Sequence, residues 1–148
     1  GTAGAVEAVA AAMRAHAGGA GVQEAACFAL KNLTLKDAEN RTRAGTAGVV
    51  EAVAAAMRTH AGSADVQLYA CCALFSLTSA NAETNRTRAE NAGALEAAVA
   101  AMCKHTGNKY LQWAACRVLR NMNVGGGKRN VRAGTAGAVE AVVAAMCA

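Results

Sequence analysis

Gly1-Thr2-Ala3-Gly4, Gly45-Thr46-Ala47-Gly48 and Gly134-Thr135-Ala136-Gly137 are the same four residues, and the variant Glu90-Asn91-Ala92-Gly93 stands between the second and the third. Their starts are 44, 45 and 44 residues apart. Self-similarity at such a period marks a stacked array, in which each unit has too little apolar face to fold alone and buries it against the next. Residues 1–35 and 45–79 share 25 identities in 35 aligned positions, which chance does not supply.

The composition says what kind of unit is stacked. Alanine and valine dominate, proline is absent, and the aromatics are five in all: Phe28, Tyr69, Phe75, Tyr110 and Trp113. Alanine is the strongest helix former and proline the strongest breaker, so the chain leans all-α, and its 15 glycines are punctuation between helices. Ala5 to His16 carries apolar residues at Val6, Val9 and Met13, a spacing that makes one buried helical stripe. Gly18, Gly62 and Gly107 follow as left-handed stops, and His16, His60 and His105 face the carbonyl end of the helix dipole. A longer helix runs from about Val22 to Leu33, with counterparts at Val66 to Leu77 and Leu111 to Met122. Its core is Ala26, Cys27, Ala29, Leu30 and Leu33. The polar stretch Asp37 to Arg43 is long enough for a short helix before the next glycine step. Gly125-Gly126-Gly127-Lys128 fills that connector once; with no preceding strand and no Ser or Thr after the lysine it reads as a joint, not a phosphate loop.

At this point the chain resembles the armadillo repeat family. Ala3-Gly4-Ala5-Val6 and Ala92-Gly93-Ala94-Leu95 look like the family's small-Gly-Ala step. Val22-Gln23-Glu24-Ala25-Ala26-Cys27-Phe28-Ala29-Leu30-Lys31-Asn32-Leu33 looks like its third helix, with the Ala-Leu-x-Asn-Leu ending. The resemblance covers the whole chain and implies an all-α, right-handed superhelical solenoid of about three units, each a short helix and two longer ones. Units are expected at 1–44 (lacking its short helix), 45–89 and 90–133, with a partial one at 134–148, so that both ends fall inside a unit.

A comparison of the units with one another points to a surface. Along the third helix, units one and two differ at positions 24, 25, 28, 31, 32 and 35, which lie on one helical face while the core face stays fixed. A face free to vary is exposed. In armadillo proteins that face lines the concave groove where extended peptides lie, so the resemblance implies a groove of Glu24, Phe28, Lys31, Asn32, Leu68, Cys72, Phe75, Ser76, Trp113, Arg117, Arg120 and Asn121. The family's groove asparagine matches Asn32 and Asn121, with Ser76 between; an amide there could bracket a peptide unit through both donor and acceptor. The aromatic that often stands four residues earlier is replaced by Phe28, Cys72 and Arg117. The tryptophan ladder of peptide-binding members is thus lost, and Trp113, Arg117, Arg120 and Asn121 stand together instead. Arginine forks onto carboxylate or phosphate and tryptophan anchors interfaces, which points to an extended acidic or phosphorylated segment. The plainer alternative is that Phe28 and Phe75 cover neighbouring helices, that Trp113 is buried by Tyr110 or Met122, and that Arg41, Arg43, Arg86, Arg88 and Arg132 only solubilise the array.

Charge agrees with an anionic partner. The formal net charge is +5, and from Ala97 to Val139 there are Lys104, Lys109, Arg117, Arg120, Lys128, Arg129 and Arg132 but no acid. Nucleic acid is the less favoured partner, because acids are as frequent as bases in the first unit. Catalysis is disfavoured: Glu7, Glu51, Glu96 and Glu140 recur singly, and Ser63, Ser76 and Ser79 lack a nucleophile context. The rival function is a scaffold joined through its ends, where Val139, Val142, Val143 and Met146 of the last helix (Ala138 to Ala148) await cover from flanking repeats, another subunit or a second copy. Cys27, Cys71 and Cys116 recur at one site and Cys103 and Cys147 at another. Equivalent sites in stacked helices sit about 10 Å apart, beyond the roughly 7 Å limit for a disulfide. Reduced cysteines imply a cytoplasmic or nuclear setting. No cofactor is called for, Cys103-x-His105 is a weak metal signal, no apolar run reaches the ~20 residues of a membrane span, and no secretory leader is visible.

Overall fold

The computed structural model of the chain describes residues 4–80 and 82–123, together with positions 137, 140 and 142. Among them eight helices follow in order: α1 (Ala5–Ala15), α2 (Ala20–Thr34), α3 (Ala38–Thr46), α4 (Val49–Thr59), α5 (Ala64–Leu77), α6 (Glu83–Asn91), α7 (Ala94–Lys104) and α8 (Lys109–Asn123). The Gly125–Lys128 joint, Arg132 and the last helix, including Val139, Val143 and Met146, fall outside the described residues. The helices α2, α5 and α8 stack side by side as one layer; α1, α4 and α7 each lie against the third helix of their own unit; α3 and α6 cross between layers.

The glycine step does its work at its last residue. Gly4, Gly48, Gly93 and Gly137 have φ of 85°, 74°, 75° and 76°, a left-handed conformation that costs about 1–2 kcal/mol for a residue with a Cβ. The short helix α3 runs on through Gly45 and Thr46, and the chain turns at Gly48 into α4. The expected left-handed stops at Gly18, Gly62 and Gly107 are not used: none of the three has a positive φ. Instead α1, α4 and α7 end on His16, His60 and His105, whose own N–H groups close the last turn. A second turn then folds back on the histidine carbonyl, from Gly19, Ser63 and Asn108. The next helix is capped by side chains in two of the three units, Ser63 accepting from Val66 N–H and Asn108 from Leu111 N–H.

Equivalent residues fill equivalent places in the core: Val6, Val50 and Leu95; Met13, Met57 and Met102; Cys27 and Cys71; Leu30, Leu74 and Leu119, all buried. Burying a leucine or methionine side chain contributes about 1.5–3 kcal/mol, and the alanines between them (Ala10, Ala54, Ala98) let the helices approach closely. Ala29 and Leu33, expected in the core, are only half-buried, whereas Ala73 and Leu77 at the same register in the next unit are fully buried.

Three polar ladders run through the stack. The buried Gln23, Gln67 and Gln112 each donate Nε2–H to two carbonyls at the end of the preceding helix, Met13 and His16, Met57 and His60, Met102 and His105, at 2.9–3.0 Å. His60 and His105 reach the carbonyls of Ala17 and Ala61 in the preceding unit, both at 2.8 Å. The helix-end role read from sequence therefore holds, with the carbonyl supplied by the neighbouring unit. Arg14 and Arg58 bond the carbonyls of Ala47 and Ala92 in the following unit.

The short-helix arginines do more than solubilise. Arg41 donates to the Thr34 carbonyl at 2.8 Å and Arg86, which is buried, to that of Thr78 at 3.0 Å, so each satisfies the open end of a third helix. Arg43 and Arg88 pair with Glu7 and Glu51 of the preceding unit at 3.8 and 3.2 Å. Asn85 donates to the carbonyls of Arg41 and Leu77 and seats its Oδ1 against Gly45, where no Cβ would fit. The extra residue of the 45-residue spacing falls between Thr78 and Asn85, and the connector there takes a left-handed turn at Ala80, φ 53°.

Candidate protein-binding face

The exposed side of α2, α5 and α8 is built from rows of equivalent residues, one from each unit. The row of Glu24, Leu68 and Trp113 passes from half-buried to exposed, Trp113 being 59% exposed. Trp113 is thus covered by neither Tyr110, itself 64% exposed, nor Met122. In the next row Phe28 is exposed while Cys72 and Arg117 are half-buried; in the third Lys31 and Phe75 are half-buried and Arg120 is exposed.

The fourth row corrects the sequence reading. Asn32 is exposed, but Ser76 and Asn121 are buried, because this register faces the end of the preceding third helix. Thr34 gives its hydroxyl proton to the Leu30 carbonyl, so the 2.7 Å contact between Ser76 and Thr34 is Ser76 donating. Asn121 donates Nδ2–H to the Phe75 carbonyl at 3.1 Å and lies 3.3 Å from the hydroxyls of Thr78 and Ser79. Ser76 and the Asn121 amide N–H are therefore joints between units and not groove floor. Asn32 differs in that no third helix precedes α2 in this chain to cover it.

What remains is a strip of alternating rings and cations. The Phe28 and Tyr69 rings meet edge-on at 5.3 Å across the first two units, with Lys31 Nζ 4.6 Å above Phe28. The Arg117 guanidinium is held between two rings, 3.5 Å from the Phe75 centroid and 4.2 Å from Trp113, and Arg120 approaches Phe75 at 5.7 Å. Each such contact is worth about 0.5–1 kcal/mol at an exposed site. Tyr69 was legible as the counterpart of the varying Ala25 but was not among the groove residues read from sequence. None of the ion pairs among the described residues involves Lys31, Arg117 or Arg120. Burial, with a lesser contribution from the like charge of Arg120, lowers the Arg117 pKa; the guanidinium nevertheless stays protonated in proteins. Burial raises the pKa of the Cys72 thiol, against the opposing fields of Lys31 and Arg117.

A second concavity of about 290 Å³ lies between α3 and α6, lined by Arg41, Thr42, Thr46, Thr84, Asn85 and Arg88 among others. Its polar groups are largely engaged: Arg41 and Asn85 on third-helix carbonyls, Arg88 on Glu51, Thr42 on the Ala38 carbonyl. Among the described residues no three His, Cys, Asp or Glu side chains gather as metal ligands. No helix among them is long and apolar enough to cross a membrane.

The model of one protein family, the LRRK2 ARM repeat, matches residues 2–147. The chain belongs to the LRRK2 ARM repeat family. No significant match emerged among curated proteins or solved structures. Armadillo families are in general non-catalytic interaction modules, so membership gives the ARM array a role in protein interaction or scaffolding and makes the third-helix layer the face to examine.

Proposed function

We propose that the ARM array captures an extended acidic or phosphorylated segment of another protein along the exposed side of α2, α5 and α8. The observation that carries the reading is Arg117: a cation clamped between Phe75 and Trp113, with Arg120 beside it and no carboxylate paired to it among the described residues. Stacking fixes the guanidinium plane before any ligand arrives, so its N–H edge is presented at little further entropic cost. The adjacent Trp113 supplies the large amphipathic surface typical of interface anchors.

Dimensions suit an extended segment. Packed helices lie 8–10 Å apart and an extended chain advances about 3.4 Å per residue, so each unit spans roughly three residues of a bound strand. An acidic side chain at Arg117 and Arg120 would then be followed, roughly three residues on, by one over Cys72 and Phe75, and next by one at Lys31 and Phe28.

The test is a screen of the chain against a displayed library of disordered peptides, with Trp113→Ala and Arg117→Glu in parallel. Enrichment of acidic or phosphomimetic motifs that both substitutions abolish is the expected result. Hits indifferent to both, or no hits at all, would reject the groove and leave the scaffold reading, in which contacts run through the ends of the stack. Of the residues proposed for such end contacts, Val142 is the described one, half-buried against the core.

A further inference from the structure

We infer that the centre of this face, between Lys31 of α2 and Arg117 of α8 over Cys72 of α5, is a subsite for a phosphate monoester carried on the bound segment. The inference rests on the groove reading and narrows its ligand from acidic in general to phosphorylated. Three consecutive units converge there. Lys31 and Arg117 both lie close enough to the Cys72 sulfur to favour negative charge at that atom. They therefore flank one point from opposite sides, and Arg120 stands beside Arg117 over the same Phe75 ring.

The chemistry of the clamp distinguishes phosphate from carboxylate. A carboxylate offers two oxygens and one charge, and a single arginine fork satisfies it. A phosphate monoester near neutral pH offers three terminal oxygens and nearly two charges, enough to engage an ammonium and a guanidinium at once with a second guanidinium near. Each main cation is already braced by a ring, Lys31 on Phe28 and Arg117 between Phe75 and Trp113, so the two need not be ordered by the ligand. A neutral, half-buried thiol between them leaves room for the ligand's charge without adding a competing anion.

The phosphate's second ionisation, near pH 6, gives the subsite its own signature. The ionisable groups around it are Glu24, Cys27 and Lys31 from α2, Tyr69 and Cys72 from α5, and Arg117 and Arg120 from α8. Histidine is the side chain whose charge ordinarily changes between pH 5 and 8, and none of these is a histidine. The described histidines sit at the ends of α1, α4 and α7.

The experiment measures binding of the 148-residue chain to three matched libraries of extended peptides, identical except for a fixed central phosphoserine, glutamate or serine, at pH 7.5 and 5.5. Phosphoserine should exceed glutamate by about tenfold at pH 7.5, and the ratio should fall to roughly threefold or less at pH 5.5. Lys31→Met and the charge-conserving Arg117→Lys should each cut phosphoserine affinity by about tenfold and glutamate affinity far less. Equal affinity for phosphoserine and glutamate, or a ratio indifferent to pH or to both substitutions, would overturn the phosphate subsite and leave the acidic groove standing. If no library binds while circular dichroism shows the helices formed, both readings fall.

Discussion

Replacing Gln67 with methionine tests the ladder that ties each third helix to the helix before it. Gln67 is 2% exposed and donates both Nε2 hydrogens, to the carbonyls of Met57 and His60, each at 3.0 Å. Methionine keeps the length and removes both donors. The Met57 carbonyl sits in a buried bond and cannot regain water, while the His60 carbonyl is partly accessible. An orphaned buried acceptor costs about 1–3 kcal/mol and a lost neutral bond about 1 kcal/mol; with the apolar gain of methionine subtracted, the net loss is about 2 kcal/mol. With a urea m-value of about 2 kcal/mol/M, the unfolding midpoint should fall by about 1 M. Because arrays unfold through neighbouring units, helix content and Trp113 fluorescence should be followed together. Glutamate at the same position sets a carboxylate against two carbonyl oxygens, so its folded-state pKa is raised; its stability should be highest below about pH 4.3 and decline as pH rises. A Gln67→Met midpoint within about 0.3 M of wild type would refute the ladder as a main joint.

The remaining predictions concern glycines and thiols. Gly45→Ala places a Cβ against Asn85 Oδ1, whose amide is tied to two carbonyls and cannot swing away, and should cost about 1–3 kcal/mol in thermal or urea unfolding. Gly18→Ala meets open space at an ordinary φ and should leave stability unchanged or raised by up to about 1 kcal/mol; the two falling equally would sink the argument. Burial pushes the Cys27 thiol up to about 12, and Cys71 higher still, from an ordinary value near 9.0. The unfolded thiols ionise first, so the unfolded state binds fewer protons above pH 9 and stability should decline from there as pH rises. At pH 8, in a Cys147→Ser background, the exposed Cys103 should react with a thiol reagent well before Cys27 and Cys71; simultaneous labelling of all three would contradict the buried placement.

The period, the helical class and most of the core were legible in the sequence, because a unit that must bury its face against a copy of itself keeps Val6, Met13, Cys27 and Leu30 in register. Variation between units found the exposed face of α2, where positions 24, 25, 28, 31, 32 and 35 are all at least half open. It failed at Ser76 and Asn121, where the same register meets the preceding third helix: a position can vary because its neighbour varies with it, and Asn121 against Thr78 and Ser79 replaces Ser76 against Thr34. Gly18 misled because a glycine after a helix is usually its left-handed stop, whereas here the histidine before it ends the helix and the left-handed role belongs to Gly48 and Gly93. The arginines of the short helices look like surface charge in one dimension. Their carbonyl partners at Thr34 and Thr78 become visible only when the third helix ends beside them.

Stability and binding use different residues of the same helices. The stack is held by groups pointing inward or along its axis, such as Gln67, Asn85 and Ser76, while Phe28, Lys31, Trp113, Arg117 and Arg120 point away and leave the joints untouched. Substitution on the outward strip should therefore alter binding with little change in unfolding midpoint.

The most direct measurement is a backbone amide chemical-shift map of the isotopically labelled chain with and without an acidic peptide enriched by the screen. Shifts concentrated on α2, α5 and α8, largest around Cys72, Phe75, Trp113 and Arg117, are the predicted result. Shifts confined to α3 and α6 beside the 290 Å³ cleft, or to the ends of the stack, would contradict a third-helix groove.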